Sequence, residues 1–218
     1  MRNSSQPKLT PSGVLQILLW RTQNTARRWL LLVFYLTTVF SVFGQSIVAQ
    51  DKWNVALRAG VNFPVKDLGA TALKTGFGFD GSVGYKVMPH LFVNAGWGWN
   101  RFAAENNSDI DYEETGYSLG LQFVHPIAQS NLRYILGANV IYNHIEVENS
   151  DGDIIADTGH GFGWQAEAGL GIPFGKRTRL IPSIRYRALA RELKIGNATG
   201  AEVDLNYVSI GLGFSWNF

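Results

Sequence analysis

The chain has 218 residues, of which 17% are charged, and it lacks cysteine, which excludes disulfides, thiolate catalysis and cysteine-ligated metals. All 17 acidic residues but only 14 of the 19 basic residues follow residue 50, so that part carries a net charge of −3 and offers no case for nucleic-acid binding. It also contains no run of about 20 apolar residues, which excludes helical membrane spans and leaves strands as the only way to cross a bilayer.

Residues 1–50 have the pattern of an N-terminal extension followed by a secretory signal peptide. Arg27 and Arg28 precede a short apolar run, and small residues follow at positions 44–49. A basic segment, an apolar segment and small residues predict cleavage near 44–49. An uncleaved membrane anchor is the alternative, although the run is short for a span. The second predicted domain, 51–218, is a single strand-rich unit.

The rest of the chain consists of segments in which apolar and polar residues alternate. In the last segment, Leu212, Phe214 and Trp216 share one face, and glycine, serine and asparagine fill the other. This period of two predicts a strand with lipid outside and a polar lumen inside. Eight such segments are predicted at 53–63, 76–87, 91–100, 116–123, 132–143, 161–172, 180–187 and 208–218. The fold class is therefore an all-β, eight-stranded antiparallel up-and-down transmembrane barrel.

The predicted connections alternate between short and long. The short ones contain proline or glycine and lie at 88–90, 126–131 and 173–177. The long ones are polar and lie at 64–75, 103–114, 145–160 and 190–203. Tight turns on one side and long loops on the other are typical of outer-membrane barrels, whose long loops face outward.

Aromatic residues concentrate near both ends of the predicted strands, as expected for two lipid–water interfaces. A soluble aromatic core is the alternative, but the opposite face is too polar to pack hydrophobically. The expected belt at the short-turn rim comprises Trp53, Tyr85, Phe123, Tyr134, Trp216 and Phe218. The expected belt at the outer rim comprises Phe63, Phe77, Trp99, Tyr117, Tyr142, Phe162 and Tyr186.

Charged residues occupy several inward positions of the predicted barrel. An eight-stranded barrel is just wide enough for side chains to fill it, so these charges must be paired. Neighbouring strands predict that Arg58 pairs with Asp80, and that Glu167 pairs with Arg185 or Arg187. The result is a polar network that fills the lumen, with a gated pore or a small-ligand pocket as the alternative. Lys86 and Arg133 are the other predicted inward charges.

Two of the long loops are acidic, which predicts a solvated acidic surface and leaves loose divalent-cation binding as an alternative. The segment from Asn149 to Asp153 resembles the start of a calcium loop, but Ile154 occupies the position that requires glycine. No metal site is therefore predicted. The acidic residues concerned are Glu105, Asp109, Asp111, Glu113, Glu114, Glu146, Glu148, Asp151, Asp153 and Asp157.

Four histidines, His90, His125, His144 and His160, are scattered over turns and strand ends. His144 and His160 flank the third long loop with Asp157 nearby, but the sequence places no serine beside them. A barrel lipase or acyltransferase would need such a partner. No catalytic residue and no cofactor is therefore predicted, and a lipid-modifying enzyme is only a distant alternative.

The chain resembles the small eight-stranded outer-membrane barrels, which include OmpX-like proteins and the transmembrane domain of OmpA-like proteins. The resemblance covers 51–218. The end of the chain is similar to the segment that the barrel-assembly machinery reads, with Gly213, Trp216 and Phe218 at matching positions. Gly211 departs from that pattern, which usually has a polar residue there. The opening segment 55–63 also resembles the first strand of such barrels.

The resemblance implies a monomer in the outer membrane of a Gram-negative bacterium. Its expected partners are outer-membrane lipid and lipopolysaccharide, the barrel-assembly machinery during biogenesis, and possible extracellular partners at the loops. The expected role is structural or one of surface interaction, with a polar, filled lumen. A narrow pore or small-ligand transport barrel is the first alternative.

Overall fold

The computed structural model describes residues 52–69, 71–107, 109–195 and 198–218. They form one antiparallel sheet that closes on itself. Because the signal peptide and the boundary between the two predicted domains lie outside these residues, both remain predictions. No helix in the described part of the chain is long and apolar enough to cross a membrane. The strands are β1 (Trp53–Pro64), β2 (Gly76–Met88), β3 (Leu91–Ala103), β4 (Ile110–Pro126), β5 (Arg133–Asn149), β6 (Ile154–Asp157), β7 (Gly161–Pro173), β8 (Thr178–Ile195) and β9 (Ala198–Asn217).

The first and last strands pair with each other and close the barrel. β1 runs antiparallel to β9, with Val55 opposite Trp216 and Gly60 opposite Gly211. The short β6 and the longer β7 both lie between β5 and β8 and share one position in the wall. The wall therefore has eight positions, which confirms the predicted eight-stranded antiparallel barrel. Closure removes the unpaired edges that an open sheet would expose.

Several strands continue well beyond their predicted ends. β4 begins at Ile110 rather than at 116, β5 ends at Asn149, and β8 and β9 pair with each other as far as Ile195 and Ala198. The predicted long loops 145–160 and 190–203 are thus wrong for most of their length, and the predicted loop 103–114 is wrong for half of its length. The prediction required apolar residues on the outward face, and that face becomes polar while the backbone pairing continues.

The polarity of the two faces inverts along the barrel axis. Between the two aromatic belts, in what we call the belt section, the outward face is apolar and exposed, as at Leu119 and Leu121. Beyond the outer belt, in what we call the outer section, the inward face becomes apolar and buried. That face and the 65–75 connection form a hydrophobic cluster, the outer core, of Leu68, Phe102, Ile141, Ile145, Leu189, Leu205 and Tyr207. The outer section therefore has a polar surface and a hydrophobic interior.

The turns at the opposite end of the barrel are short, as predicted. β2 and β3 are joined through Pro89 and His90, and the two connections that follow β4 and β7 are also short. His90 adopts a left-handed conformation with φ of 72°, which allows the chain to reverse within two residues. On the outer side, β1 and β2 are joined through 65–75, β3 and β4 through 104–109, and the segment between β5 and β7 contains the short β6.

Candidate functional site

The carboxylate of Glu114 is the centre of a polar network inside the barrel. Glu114 points inward from β4 and is 1% exposed. It accepts hydrogen bonds from Asn100 Nδ2 and Asn143 Nδ2, each at 2.7 Å, and from the Tyr207 hydroxyl at 2.6 Å. Arg187 Nη1 lies 2.9 and 2.8 Å from its two oxygens. Side chains from β3, β5, β8 and β9 thus converge on one buried carboxylate.

This geometry satisfies the charges on both sides of the pair. The remaining nitrogens of Arg187, Nη2 and Nε, donate to Gln165 Oε1 at 2.6 and 3.1 Å. A buried ion pair contributes to stability only when further hydrogen bonds satisfy its polar atoms, and here they do. The sequence interpretation of Glu114 as a residue of an acidic surface loop is wrong. The sequence does contain a signal for this position. Extending the alternation of β4 from Tyr117 back by three residues places Glu114 on the inward face.

A second group of inward charges lies deeper, within the belt section. Asp80 Oδ2 is 2.6 Å from Arg185 Nη1 and 3.6 Å from Arg58 Nη1. Arg185 Nε lies 3.2 Å from Glu167 Oε2. The structure thus brings together Arg58 and Asp80, and also Glu167 and Arg185, whereas Arg187 binds Glu114 rather than Glu167. Because Asp80 and Arg185 belong to β2 and β8, the pair crosses the lumen.

Arg58 is held by hydroxyl groups as well as by charge. Its Nε donates to Ser183 Oγ at 3.1 Å, and its Nη2 donates to Ser209 Oγ at 2.9 Å. Gly211 on β9 lies beside this guanidinium, and a Cβ there would stand 2.5 Å from Arg58 Cζ. The glycine that departs from the usual terminal pattern therefore leaves the space that Arg58 occupies.

Little free space remains around these groups. A cavity of about 50 Å³ borders Arg58, Asp80, Glu167 and Arg185. That volume holds a few water molecules at most, since a water needs about 10–15 Å³ of such space. Above it lie the Glu114 network and then the outer core. The other two predicted inward charges lie toward the short-turn rim, where Lys86 is exposed and Arg133 is half-buried.

The outward face of the outer section carries charge. Arg101 binds Asp111 through a short hydrogen bond and lies 3.5 Å from Glu113. The hydrogen bond that Arg101 donates to the Asp111 carboxylate is the main reason that the pKa of Arg101 is raised. Partial desolvation, followed by the nearby Glu113 carboxylate, raises the pKa of Glu148. This face is acidic, as predicted for the loops that it replaces.

The segment that resembled a calcium loop forms a tight turn. Asn149 Oδ1 accepts hydrogen bonds from the backbone N–H groups of Asp151 and Asp153, at 3.0 and 2.9 Å. An asparagine that caps its own turn in this way is a common turn motif. Its side-chain oxygen is thus already used by the backbone.

The four histidines form two groups at opposite ends of the barrel. His90 and His125 lie at the short-turn rim with ring centroids 4.6 Å apart. His144 and His160 stack in the outer section, with ring centroids 4.4 Å apart and planes at 10°. His144, Glu146 and Asp157 have donor atoms that all lie within 4.8 Å of one another. These three residues could hold a metal ion.

The terminal segment forms the closing seam. Phe218 and Trp53 exchange two backbone hydrogen bonds, at 2.9 and 3.0 Å. Trp216 projects outward and is exposed, whereas Gly213 lies opposite Arg58 on the inward face. Gly213 and Trp216, which resemble part of an assembly signal, thus belong to the strand that completes the barrel, and Phe218 follows directly after it.

Comparison with known proteins gives a family and a fold. The family model of the outer membrane protein beta-barrel domain matches residues 34–218. The crystal structure of Neisserial surface protein A (NspA) is similar with a TM-score of 0.56 and 16% identity, covering 78% of this chain and 98% of that chain. OprG from Pseudomonas aeruginosa gives a TM-score of 0.52 and 14% identity, with 79% and 99% covered. AlkL gives a TM-score of 0.50 and 15% identity, with 80% and 93% covered. No curated protein sequence matches the chain.

Proposed function

Since the chain belongs to the outer membrane protein beta-barrel family and lies in the outer membrane of a Gram-negative bacterium, we propose that it is a closed barrel with a structural or surface-interaction role. The observation that carries the proposal is the buried Glu114 network beneath the outer core. Together they fill the section through which any solute would have to pass.

A narrow pore, the main alternative, would need a continuous wet path through this section. Opening one would separate Glu114 from Arg187 and expose the outer core, which includes Leu205 and Phe102. Breaking a buried ion pair costs about 3–5 kcal/mol, and each large apolar side chain that is exposed costs about 1.5–3 kcal/mol. These costs support a lumen that stays closed.

A lipid-modifying enzyme is supported less well. Such an enzyme would place a histidine beside a nucleophile at the outer rim. The structure instead places the carboxylates of Glu146 and Asp157 and the ring of His160 beside His144. This set resembles a ligand cluster more than a nucleophile with its base.

The proposal extends to the partners. Two aromatic belts suit contact with outer-membrane lipid and lipopolysaccharide. The closing strand with Gly213 and Trp216, followed directly by Phe218, suits recognition by the barrel-assembly machinery. The barrel is proposed to act as a monomer because its sheet has no open edge, and extracellular partners would meet the polar outward face of the outer section.

Planar-bilayer recording of the refolded barrel tests the closed lumen. We expect no discrete conductance steps from the wild-type protein when heat-modifiable migration shows that it is folded and flotation shows that it is inserted. A double variant, Glu114→Ala with Arg187→Ala, removes both members of the central ion pair, so that neither charge is left buried without its partner. We expect this variant to conduct more often than the wild type. Regular conductance steps from the wild-type protein would reject the closed lumen in favour of the pore.

A further inference from the structure

We propose that His144, Glu146 and Asp157 form a binding site for a divalent transition-metal ion of the zinc class. The site lies on the outward face of the outer section, just beyond the aromatic pair Tyr142 and Phe162. The site is separate from the lumen, so the proposal of a metal site does not depend on the proposal of a closed lumen.

Strand geometry brings the three ligands together. His144 and Glu146 are two residues apart on β5, so their side chains share the outward face. Asp157 ends β6 directly opposite Glu146 in the antiparallel pairing. His144 Nδ1 lies 3.5 Å from Asp157 Oδ2 and 3.7 Å from Glu146 Oε1. Ligands bound to zinc at about 2.0–2.2 Å in a tetrahedron are separated by about 3.3–3.6 Å, so small side-chain movements would complete the site.

The ligand atom of His144 is buried without a hydrogen bond. Its Nδ1 atom is inaccessible to solvent and has no hydrogen-bond partner, which is costly unless something else binds it. The ring is fixed by stacking on His160. The backbone N–H of Gly159 donates to Asp157 Oδ1 at 2.6 Å, which leaves Oδ2 as the oxygen nearer His144. Supporting contacts of this kind orient metal ligands in known sites.

The charges around the cluster favour a cation. Across β4, β5 and β6, the residues Glu113, Glu146 and Asp157 occupy one row of directly opposed positions. Like charges in such positions repel each other. Arg101 lies 3.5 Å from Glu113, and Trp99 Nε1 donates to that carboxylate at 2.8 Å, so the first member of the row is compensated. The row continues on β8, where Lys194 occupies the position opposite Asp157. Glu146 therefore stands between two carboxylate positions, and a dication between Glu146 and Asp157 would compensate the repulsion there.

The ligand types select the ion. Imidazole nitrogen with carboxylate oxygen suits zinc and its neighbours in the first transition row, whereas calcium and magnesium prefer six or more oxygens. One imidazole and two carboxylates leave a position open for water or another group. Bound metal would also tie the β6 segment to β5.

Isothermal titration of the folded full-length chain with Zn²⁺, in a tag-free preparation, tests the site. We expect one ion per barrel, a higher unfolding temperature in its presence, and no displacement by excess Ca²⁺ or Mg²⁺. His144→Gln and Asp157→Asn should each weaken Zn²⁺ binding by about tenfold or more. Heat-modifiable migration establishes that each variant is folded.

Matched variants separate this site from general attraction to an acidic surface. His125→Gln removes a histidine at the opposite rim, and Glu148→Gln removes a nearby outward carboxylate, and both should bind Zn²⁺ as the wild type does. The proposal is overturned if the wild type does not bind Zn²⁺, as it would not if His144 is simply a protonated partner of the two carboxylates. It is equally overturned if folded His144→Gln binds Zn²⁺ unchanged, or if Ca²⁺ displaces Zn²⁺.

Discussion

The belt section and the outer section are made by the same strands but have opposite polarity. In the belt section Val140 of β5 faces outward and Asn139 faces inward. Farther along the same strand, the outward residue is Glu146 and the inward residue is Ile145. Alternation with a period of two persists throughout, but its sign changes at the outer aromatic belt.

This difference shows how solvent determines which face of a strand is apolar. Lipid surrounds the belt section, so apolar side chains face outward and polar groups satisfy one another inside. Water surrounds the outer section, so its apolar side chains turn inward, as in a soluble barrel. Glu114 lies where the two arrangements meet, and its five hydrogen bonds hold four strands to β4 there.

Removing Glu114 should have the largest effect on the barrel. Glu114→Ala leaves Arg187 buried without its carboxylate, and we expect a loss of about 3–5 kcal/mol in the free energy of unfolding. Urea unfolding in lipid vesicles, followed by tryptophan fluorescence, measures it. Glu148→Ala is the matched control on the outward face and should change stability by less than about 0.5 kcal/mol. Equal effects of the two variants would show that the boundary network does not hold the sections together.

Shortening one leucine in each section should show that the two sections are packed differently. Leu205 and Leu212 both belong to β9, but Leu205 is 0% exposed in the outer core and Leu212 is 56% exposed on the belt face. Leu205→Ala should cost about 2–5 kcal/mol because it leaves a cavity. Leu212→Ala should cost under about 1 kcal/mol, because lipid chains fill the space that the side chain leaves. The same vesicle unfolding experiment compares them, and a larger loss from Leu212→Ala would contradict the inverted packing.

Placing a charge on the outward face should locate the boundary between the sections. Leu121 is 50% exposed on the belt face, so Leu121→Arg should cost about 2–4 kcal/mol if lipid covers it. Glu148→Arg, on the outward face of the outer section, should be within about 0.5 kcal/mol of wild type. Insertion yield and unfolding free energy report both. If Leu121→Arg inserts and unfolds as the wild type does, that face is not in lipid.

The belt section was largely predictable from sequence because lipid imposes a simple rule on every strand. Each outward residue must be apolar, so the alternation through Phe214 and Trp216 located strands, faces and closure together. The outer section was not predicted from sequence, because the same rule placed the start of β4 at 116 and assigned Glu114 to a loop. The period-two alternation continues beyond 116 even though its apolar face changes sides. Following the period alone would have identified this part of β4 as strand.

The group of charges around Asp80 in the lumen and the cluster around His144 were harder to predict from sequence. Adjacent strands predicted Arg58 beside Asp80, but the contact of Arg185 with Asp80 crosses from β8 to β2. Such contacts depend on the stagger of the closed barrel. Likewise, Asp157 meets His144 only because β6 pairs with β5 after a turn. The residue types were visible in the sequence, but their convergence required the register.

The seam between β1 and β9 sets the order of events when the barrel forms. Asn54 Nδ2 donates to Asn217 Oδ1 across 163 residues of chain. One edge of β1 can pair early with its neighbour β2, but the other edge has no partner until the last strand arrives. Contacts of such sequence separation make folding slow, because the loop entropy is lost before any pairing compensates for it. The hairpins between neighbouring strands can form locally, but the barrel closes in one late step, and until then the edge of β1 that meets β9 stays unpaired.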